Sequence, residues 1–423
     1  MLEFWRNAAP VEVTGEQALH TLRIGAALVA ATAACSFLAS SLPLPGAQAQ
    51  VLAEARKKVE KKVPAPKDAQ KDQQQRAPFT LADQEVAVVP GIPDARAWGD
   101  SETDFARLLP KAEGPWLAIS GGGTDGAYGG GVLAGWSESG KRPEFAVVTG
   151  ASIGSLVAPY AFLGSRYDED IRKNFTTTTS ADVFEDRITR DSLFDYWPLK
   201  QQIEQRVTPK LLSEIAAEHA RGRRLFIVTT NYDAGRRVVW NMGAIAAKGD
   251  AKLFRDILLA SSAIPGIFSP VGIKVEAKGK QFEELHGDGT LTAPFFVVPE
   301  SMLSPGNSSP PPLKELYVII NSRLAPDFDM PSRVIASVLG RAISVALTAA
   351  LRAEVALIYV GAQRHKIALH MAHVEPTFNH PQRGPFDGKY MQALFDVGVA
   401  AGKNGTAFED ALPVGSVSGS NAQ

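Results

Sequence analysis

A single cysteine, Cys35, in 423 residues excludes any intramolecular disulfide and any zinc or iron–sulfur site built from several thiolates. A basic surplus is missing as well: 44 Lys and Arg stand against 45 Asp and Glu, so the overall charge offers nothing to hold a nucleic-acid backbone. No internal repeat is present. What is there, 45% hydrophobic and 21% charged residues, is an ordinary globular mixture that excludes wholesale disorder, collagen-like structure and a polytopic membrane protein. A fold without covalent staples must rest on its core, and the length allows one large domain or two.

The N-terminal segment stands apart from that core. Residues 24–38, IGAALVAATAACSFL, run uncharged after Arg23 and are followed by Pro43 and Pro45. This is short for a spanning helix and suits the apolar region of a secretory signal. Two processing sites compete: Ala47-Gln48-Ala49 before Gln50, and a lipobox-like Thr32-Ala33-Ala34 before Cys35. Residues 1–49 are therefore expected to be an export segment, placing the protein in the bacterial cell envelope, either in the periplasm or as a membrane-anchored lipoprotein. Residues 50–80 hold eight basic and four acidic residues and read as a charged tether, whose surplus would favour contact with an anionic membrane surface. At the other end, 403–423 is small and polar and is expected to be a flexible tail.

Between these ends, apolar runs of strand length alternate with helical patterns. Strands are predicted at 116–119, 145–149, 225–230, 281–285, 316–321 and 366–373, and helices near 126–139, 153–163, 199–221, 252–262, 332–358 and 388–402. The alternation predicts an α/β fold, three layers deep, with a mostly parallel central sheet. Residues 301–312, SMLSPGNSSPPP, are expected to form a surface loop. Arg333, Arg341 and Arg352 fall within about 100° of one another on a helical wheel, one basic stripe that argues against a spanning role for the apolar helix at 332–358.

Two glycine-rich turns follow apolar strands about 30 residues apart. The first is Gly121-Gly122-Gly123-Thr124-Asp125-Gly126, and the second is Gly150-Ala151-Ser152-Ile153-Gly154. Strand-to-helix junctions of this kind are where α/β sheets place their ligands. The second matches G-x-S-x-G, the nucleophile elbow, in which glycines at 150 and 154 let strand and helix approach around an exposed serine. The first also satisfies G-x-G-x-x-G, which leaves a nucleotide-binding reading open. Against it, the next strand runs into Ser152 rather than ending in the acid a ribose needs. Glycine N–H groups opening a helix can hold an oxyanion as well as a phosphate. Together the turns describe an acyl-transfer site in need of a base, for which the chain offers Asp288 within Gly287-Asp288-Gly289, His286 beside it, and His365, His370, His373 and His380 further on.

The constellation resembles the patatin-like phospholipase family, which pairs a Gly-Gly-Gly oxyanion loop with a G-x-S-x-G serine and a downstream Asp-Gly. Thr230-Asn231-Tyr232-Asp233-Ala234-Gly235 and the stretch from Ala260 to Phe268, ASSAIPGIF, are similar to that family too, and the resemblance spans roughly 115–300. It implies a catalytic domain with a C-terminal extension over 81–402 and a lipid or ester substrate. It also implies a Ser152–Asp288 dyad, an oxyanion hole at Gly121, Gly122 and Gly123, and neither metal nor cofactor. Two positions depart from the pattern: Asp125 stands where the family usually has Arg or Lys, and Thr290 where a second glycine is common. Three alternatives stay open: a Ser–His–Asp esterase using one of the late histidines, a non-catalytic lipid-binding protein on a patatin scaffold, and the nucleotide-binding reading. His370 and His373 also form H-x-x-H, which as a metal site would need further ligands and same-face spacing.

Overall fold

The computed structural model describes residues 76–185, 191–304, 311–326 and 328–411; the export segment, Cys35, most of the tether and residues 412–423 lie outside them. The strands are β1 (Arg96–Trp98), β2 (Trp116–Ile119), β3 (Val147–Ala151), β4 (Arg224–Asn231), β5 (Arg236–Asn241), β6 (Val271–Ala277), β7 (Lys280–Asp288), β8 (Glu315–Ile320) and β9 (Ala368–His373). The helices are α1 (Leu81–Gln84), α2 (Glu102–Ala106), α3 (Gly126–Glu138), α4 (Ile153–Leu163), α5 (Asp168–Thr176), α6 (Trp197–Arg206), α7 (Pro209–Ala220), α8 (Met242–Lys248), α9 (Ala251–Ser261), α10 (Ile335–His365) and α11 (Gly388–Asn404).

All nine strands join one sheet in the order β1-β5-β4-β3-β2-β8-β9, with the β6–β7 hairpin attached to β4. Strands β4, β3, β2, β8 and β9 are parallel neighbours and form the centre; β5, β1 and β7 add antiparallel pairs. Period-two alternation divides the core between the faces. In β2, Leu117 and Ile119 join one cluster while Trp116 and Ala118 join the other; in β4, Leu225 and Ile227 are separated from Phe226 and Val228 in the same way. The first face is covered by α3, α4, α9 and α11, the second by α2, residues 293–303 and the end of α10. The fold is the expected three-layer α/β/α arrangement.

Local differences have local causes. The helix expected over 199–221 is two, because Pro209 starts α7 at its first position, where a missing N–H costs nothing, and the Thr208 hydroxyl caps it by accepting from Leu211 N at 3.2 Å. Strands β1, β5 and β6 and helices α1, α2, α5 and α8 have no counterpart among the predicted elements. At the start of the proline-rich stretch, Met302 and Leu303 are buried rather than at the surface, because their apolar side chains join the core of the second face. Two boundaries move as well. Arg76 pairs with Asp233 and Phe79 stacks on Phe282 at 4.4 Å, which docks the end of the tether. Glu409 exchanges two backbone hydrogen bonds with Met371, which docks the chain to residue 411.

α3 and α11 cross through glycine. A Cβ added at Gly131 or Gly135 would lie 2.1 or 2.0 Å from a backbone oxygen of α11, and one at Gly398 or Gly402 would lie 2.4 Å from a backbone oxygen of α3. Only glycine at these four positions permits backbone-to-backbone contact.

Candidate active site

Ser152 lies between β3 and α4 with φ 53° and ψ −126°, a strained conformation for a residue with a side chain. The flanking glycines make the turn tight. A Cβ at Gly150 would lie 2.4 Å from the Gly154 oxygen, and one at Gly154 would lie 2.4 Å from the Ile119 oxygen at the end of β2. The stretch from Ala260 to Phe268 backs the elbow: the Ser261 hydroxyl accepts from Ser152 N at 3.1 Å and donates to Val228 O at 2.7 Å.

β7 delivers Asp288 to the same point from the antiparallel side, paired with Thr229 of β4. Ser152 Oγ donates to Asp288 Oδ2 at 2.7 Å. The other carboxylate oxygen accepts from Thr290 N at 2.9 Å and Thr290 Oγ1 at 2.6 Å. Asp288 is buried, and burial raises its pKa above the ordinary value, while the hydrogen bonds from Thr290 and Ser152 pull it back. Thr290, noted in the sequence only as a departure, thus holds one of the two carboxylate oxygens by itself. The Thr230–Gly235 stretch forms the β4–β5 turn, in which Asn231 Oδ1 accepts from the N–H groups of Asp233 and Ala234, both at 3.0 Å.

The first glycine turn packs beside this pair. A Cβ on Gly121 would lie 3.1 Å from the Cβ of Ser152, and one on Gly122 would lie 1.9 Å from the Asn321 oxygen. The N–H groups of Gly122 and Gly123 have no acceptor among the described residues. Asn321, immediately after β8, holds the turn: its Nδ2 donates to Ser120 O and its N to Ser120 Oγ, both at 2.9 Å, and its Oδ1 accepts from Gly129 N at 3.0 Å. Asp125 accepts from Tyr390 Oη of α11 at 2.7 Å, so the acid in this turn is used structurally.

None of the histidine hydrogen bonds among the described residues reaches Ser152 or Asp288. Buried His286 bonds Thr229 Oγ1 at 2.9 Å and Glu284 at 3.2 Å, and burial lowers its pKa. His370 meets Asp410 at 2.6 Å and stacks on Tyr317; His373 and His380 each bond a neighbouring backbone oxygen. His365 ends α10, with its Nε2 unpartnered. His370 and His373 take different partners, and His373 lies instead in a group with Glu375 and Glu409.

A pocket open to solvent leads from Gly123 and Ser152 between Leu156, Ile171, Phe175, Leu199 and Phe268. Phe386 and Met391, from the C-terminal region, complete its wall. The family profile described as Patatin-like phospholipase matches residues 117–298. Over that segment the chain is similar to the patatin-like phospholipase family. The match opens in β2 and ends past Asp288, and it contains both glycine turns. No curated protein matches the sequence. Among solved structures, the crystal structure of VipD from Legionella pneumophila is 12% identical, with 74% of this chain and 70% of that one covered at a TM-score of 0.30. The type III effector protein ExoU is 11% identical, covering 75% and 58% at 0.20. At these scores neither likeness bears on fold or function.

Sequence reasoning did not single out Asn321, Phe386 or Met391, and it gave Ser261 only within the stretch from Ala260 to Phe268. Asn321 had a signal: it is the polar residue ending the apolar run YVII, as Ser152 closes the strand and turn FAVVTGA.

Proposed function

We propose that the protein is a serine acyl hydrolase acting on lipid esters, with Ser152 as nucleophile and Asp288 as base. The observation that carries the reading is the 2.7 Å hydrogen bond from a strained elbow serine to a buried carboxylate with no histidine between them. The Ser152 proton passes to Asp288 as Oγ attacks the ester carbonyl. The N–H groups of Gly122 and Gly123 receive the oxyanion, helped by the adjacent helix N-termini, while Gly121 supplies the close approach. Collapse of the tetrahedral intermediate expels the alcohol, which takes its proton from Asp288. Water, deprotonated by the same carboxylate, then releases the acid from the acyl-enzyme. An ordinary carboxylate is a weak base, and burial that raises the Asp288 pKa improves the match.

The family match supports a lipid as substrate, and the apolar walls of the pocket suit an acyl chain. Asn174, Gln202 and Arg206 supply polar groups in the same pocket. In this reading residues 1–49 export the chain to the bacterial envelope, with Cys35 lipidation or cleavage after Ala49 as its two routes. The test is fluorophosphonate labelling of Ser152 together with hydrolysis of a phospholipid and of short p-nitrophenyl esters. Asp288→Asn should abolish hydrolysis while His370→Ala and His373→Ala leave it; the opposite pattern would return the Ser–His–Asp alternative. Failure of Ser152 to label would favour a lipid-binding protein.

A further inference from the structure

The Ser152 pocket has one wall in α4 and another in α6, and both carry it away from the serine. On α4, Leu156, Val157 and Tyr160 line it in turn, so Tyr160 lies about 12 Å of helix beyond Ser152. On α6, Leu199, Gln202 and Arg206 follow one another along one face over about 10 Å. Arg206 and the Tyr160 hydroxyl lie close enough to act on each other electrostatically, and Asn174 of α5 hydrogen-bonds that hydroxyl. The two walls therefore meet in one polar end, separated from the serine by apolar Leu156, Ile171 and Phe175.

That end holds a cation without a bonded partner. The Arg206 guanidinium, only partly exposed, makes no hydrogen bond or ion pair among the described residues. Burial lowers its pKa more than Tyr160, Asp182 and Asp170 raise it, so the acids nearby do not compensate its desolvation. Asp182, which also lines the pocket, uses Oδ2 to accept from Thr179 N and Oγ1 at 2.9 and 2.8 Å, and Asp170 is exposed to water. Other buried arginines of this fold each have a carboxylate: Arg96 has Glu284, Arg142 has Asp168 and Arg223 has Glu218. A desolvated guanidinium with its donors open gains most from an anion that takes two of them at once.

We propose that Arg206 receives a carboxylate at the far end of the substrate's acyl chain, so that the pocket takes esters of long-chain dicarboxylic acids. An extended chain advances about 1.2 Å per bond, so the span from Ser152 is about ten bonds. A glycerophospholipid carries its phosphate only a few bonds from the scissile carbonyl, too close to reach both ends. Gln202 and Asn174 place amide groups beside the guanidinium. Only the ester bond breaks; the terminal carboxylate is held and leaves unchanged on the product diacid. The reaction rests on the acyl-hydrolase reading, whereas capture of the diacid is measurable without it.

Full-length protein tests the proposal on p-nitrophenyl decanoate and mono-p-nitrophenyl decanedioate. The parent should prefer the decanedioate in kcat/KM. Arg206→Gln should reduce that preference by about tenfold or more, the effect of losing a hydrogen-bonded charge contact, and Arg206→Lys should restore part of it. Because the preference is a ratio within one preparation, it does not depend on the fraction of chain that is folded. It should be much weaker for mono-p-nitrophenyl butanedioate, whose carboxylate stops short of Arg206. A parent without the preference, a preference that survives Arg206→Gln, or one equally strong for the butanedioate overturns the proposal. So does an Arg206→Gln variant that loses phosphatidylglycerol relative to diacylglycerol hydrolysis while keeping the decanedioate preference, since the cation would then read a headgroup. Failure of Ser152 to label with a fluorophosphonate would remove the hydrolase reading alone. Calorimetry then decides the anion site: tighter binding of decanedioate than of decanoate by the parent but not by Arg206→Gln supports it, and equal binding by the parent overturns it.

Discussion

Thr290 holds the oxygen of Asp288 that Ser152 does not use. Its N–H and hydroxyl both donate to Oδ1, at 2.9 and 2.6 Å, while Oδ2 is left to the serine. The carboxylate is thereby fixed in plane and its charge is balanced against burial.

The base must be ionised to act, so activity should fall as pH drops through the Asp288 pKa, which burial places above the ordinary 3.8. Thr290→Val removes a hydrogen bond that favours the ionised form and should move the acid limb of kcat/KM to higher pH. The plateau should also drop, by about tenfold, because the carboxylate loses its orientation. A pH–rate profile checks both; an acid limb that stays in place would show that Thr290 does not tune the base.

Asn321 ties the glycine turn to β8 and to α3 with three hydrogen bonds. Asn321→Ala should lower kcat by about 10- to 100-fold, as expected when oxyanion donors are displaced by a fraction of their productive geometry, with a much smaller change in KM. Steady-state kinetics on a soluble ester separate the two parameters, and a loss confined to KM would argue against a role in positioning the turn.

Gly154→Ala places a methyl 2.4 Å from the Ile119 oxygen and 2.7 Å from the Ser120 oxygen, both backbone atoms that cannot rotate away. The expected destabilisation is about 1–3 kcal/mol or more. Thermal unfolding should show it as a lower Tm, and unchanged stability would mean that the elbow opens readily.

Glu354 of α10 is largely buried, and desolvation, with Glu300 nearby and Arg237 opposing, raises its pKa to about 7 from an ordinary 4.5. A carboxyl group raised in the folded state stabilises the protein fully below its unfolded pKa, and that contribution is lost as pH rises through the folded value. Stability should therefore decline between pH 4.5 and about 7, by roughly 2–3 kcal/mol from this group. Glu354→Gln should flatten that part of the curve and raise Tm at pH 8 relative to the parent, as measured by thermal melts across the range.

The central strands and the helices that follow them were legible because their signals are strong. Apolar runs such as WLAI and YVII end in small or polar residues, and α4 matches its expected span from residue 153 to 163. The serine, the aspartate and the glycine turns were legible because a tight turn restricts what can occupy it. Strands β5 and β6 were not, since β5 is RRVVWN and the exposed positions of β6 include Lys274; edge and hairpin strands carry too few apolar residues to stand out. The partners of the site were hidden for another reason. Asn321 lies 169 positions beyond Ser152 in sequence, and only the parallel pairing of β2 with β8 brings it to the glycine turn.

The glycine crossing of α3 and α11 bears on what is inherited and what must fold. The family profile ends at residue 298, yet α11 meets α3 backbone to backbone, Tyr390 holds Asp125, and β8 pairs with β2. A gene fragment trimmed to the shared segment would leave β2 paired with β3 alone, its other side an open edge of the sheet available to other chains. It would also strip the first glycine turn of its contacts with Asn321 and Tyr390. Recombination or engineering that exchanges this module therefore has to carry residues up to 411 with it, so the segment common to relatives is shorter than the smallest piece that can be moved.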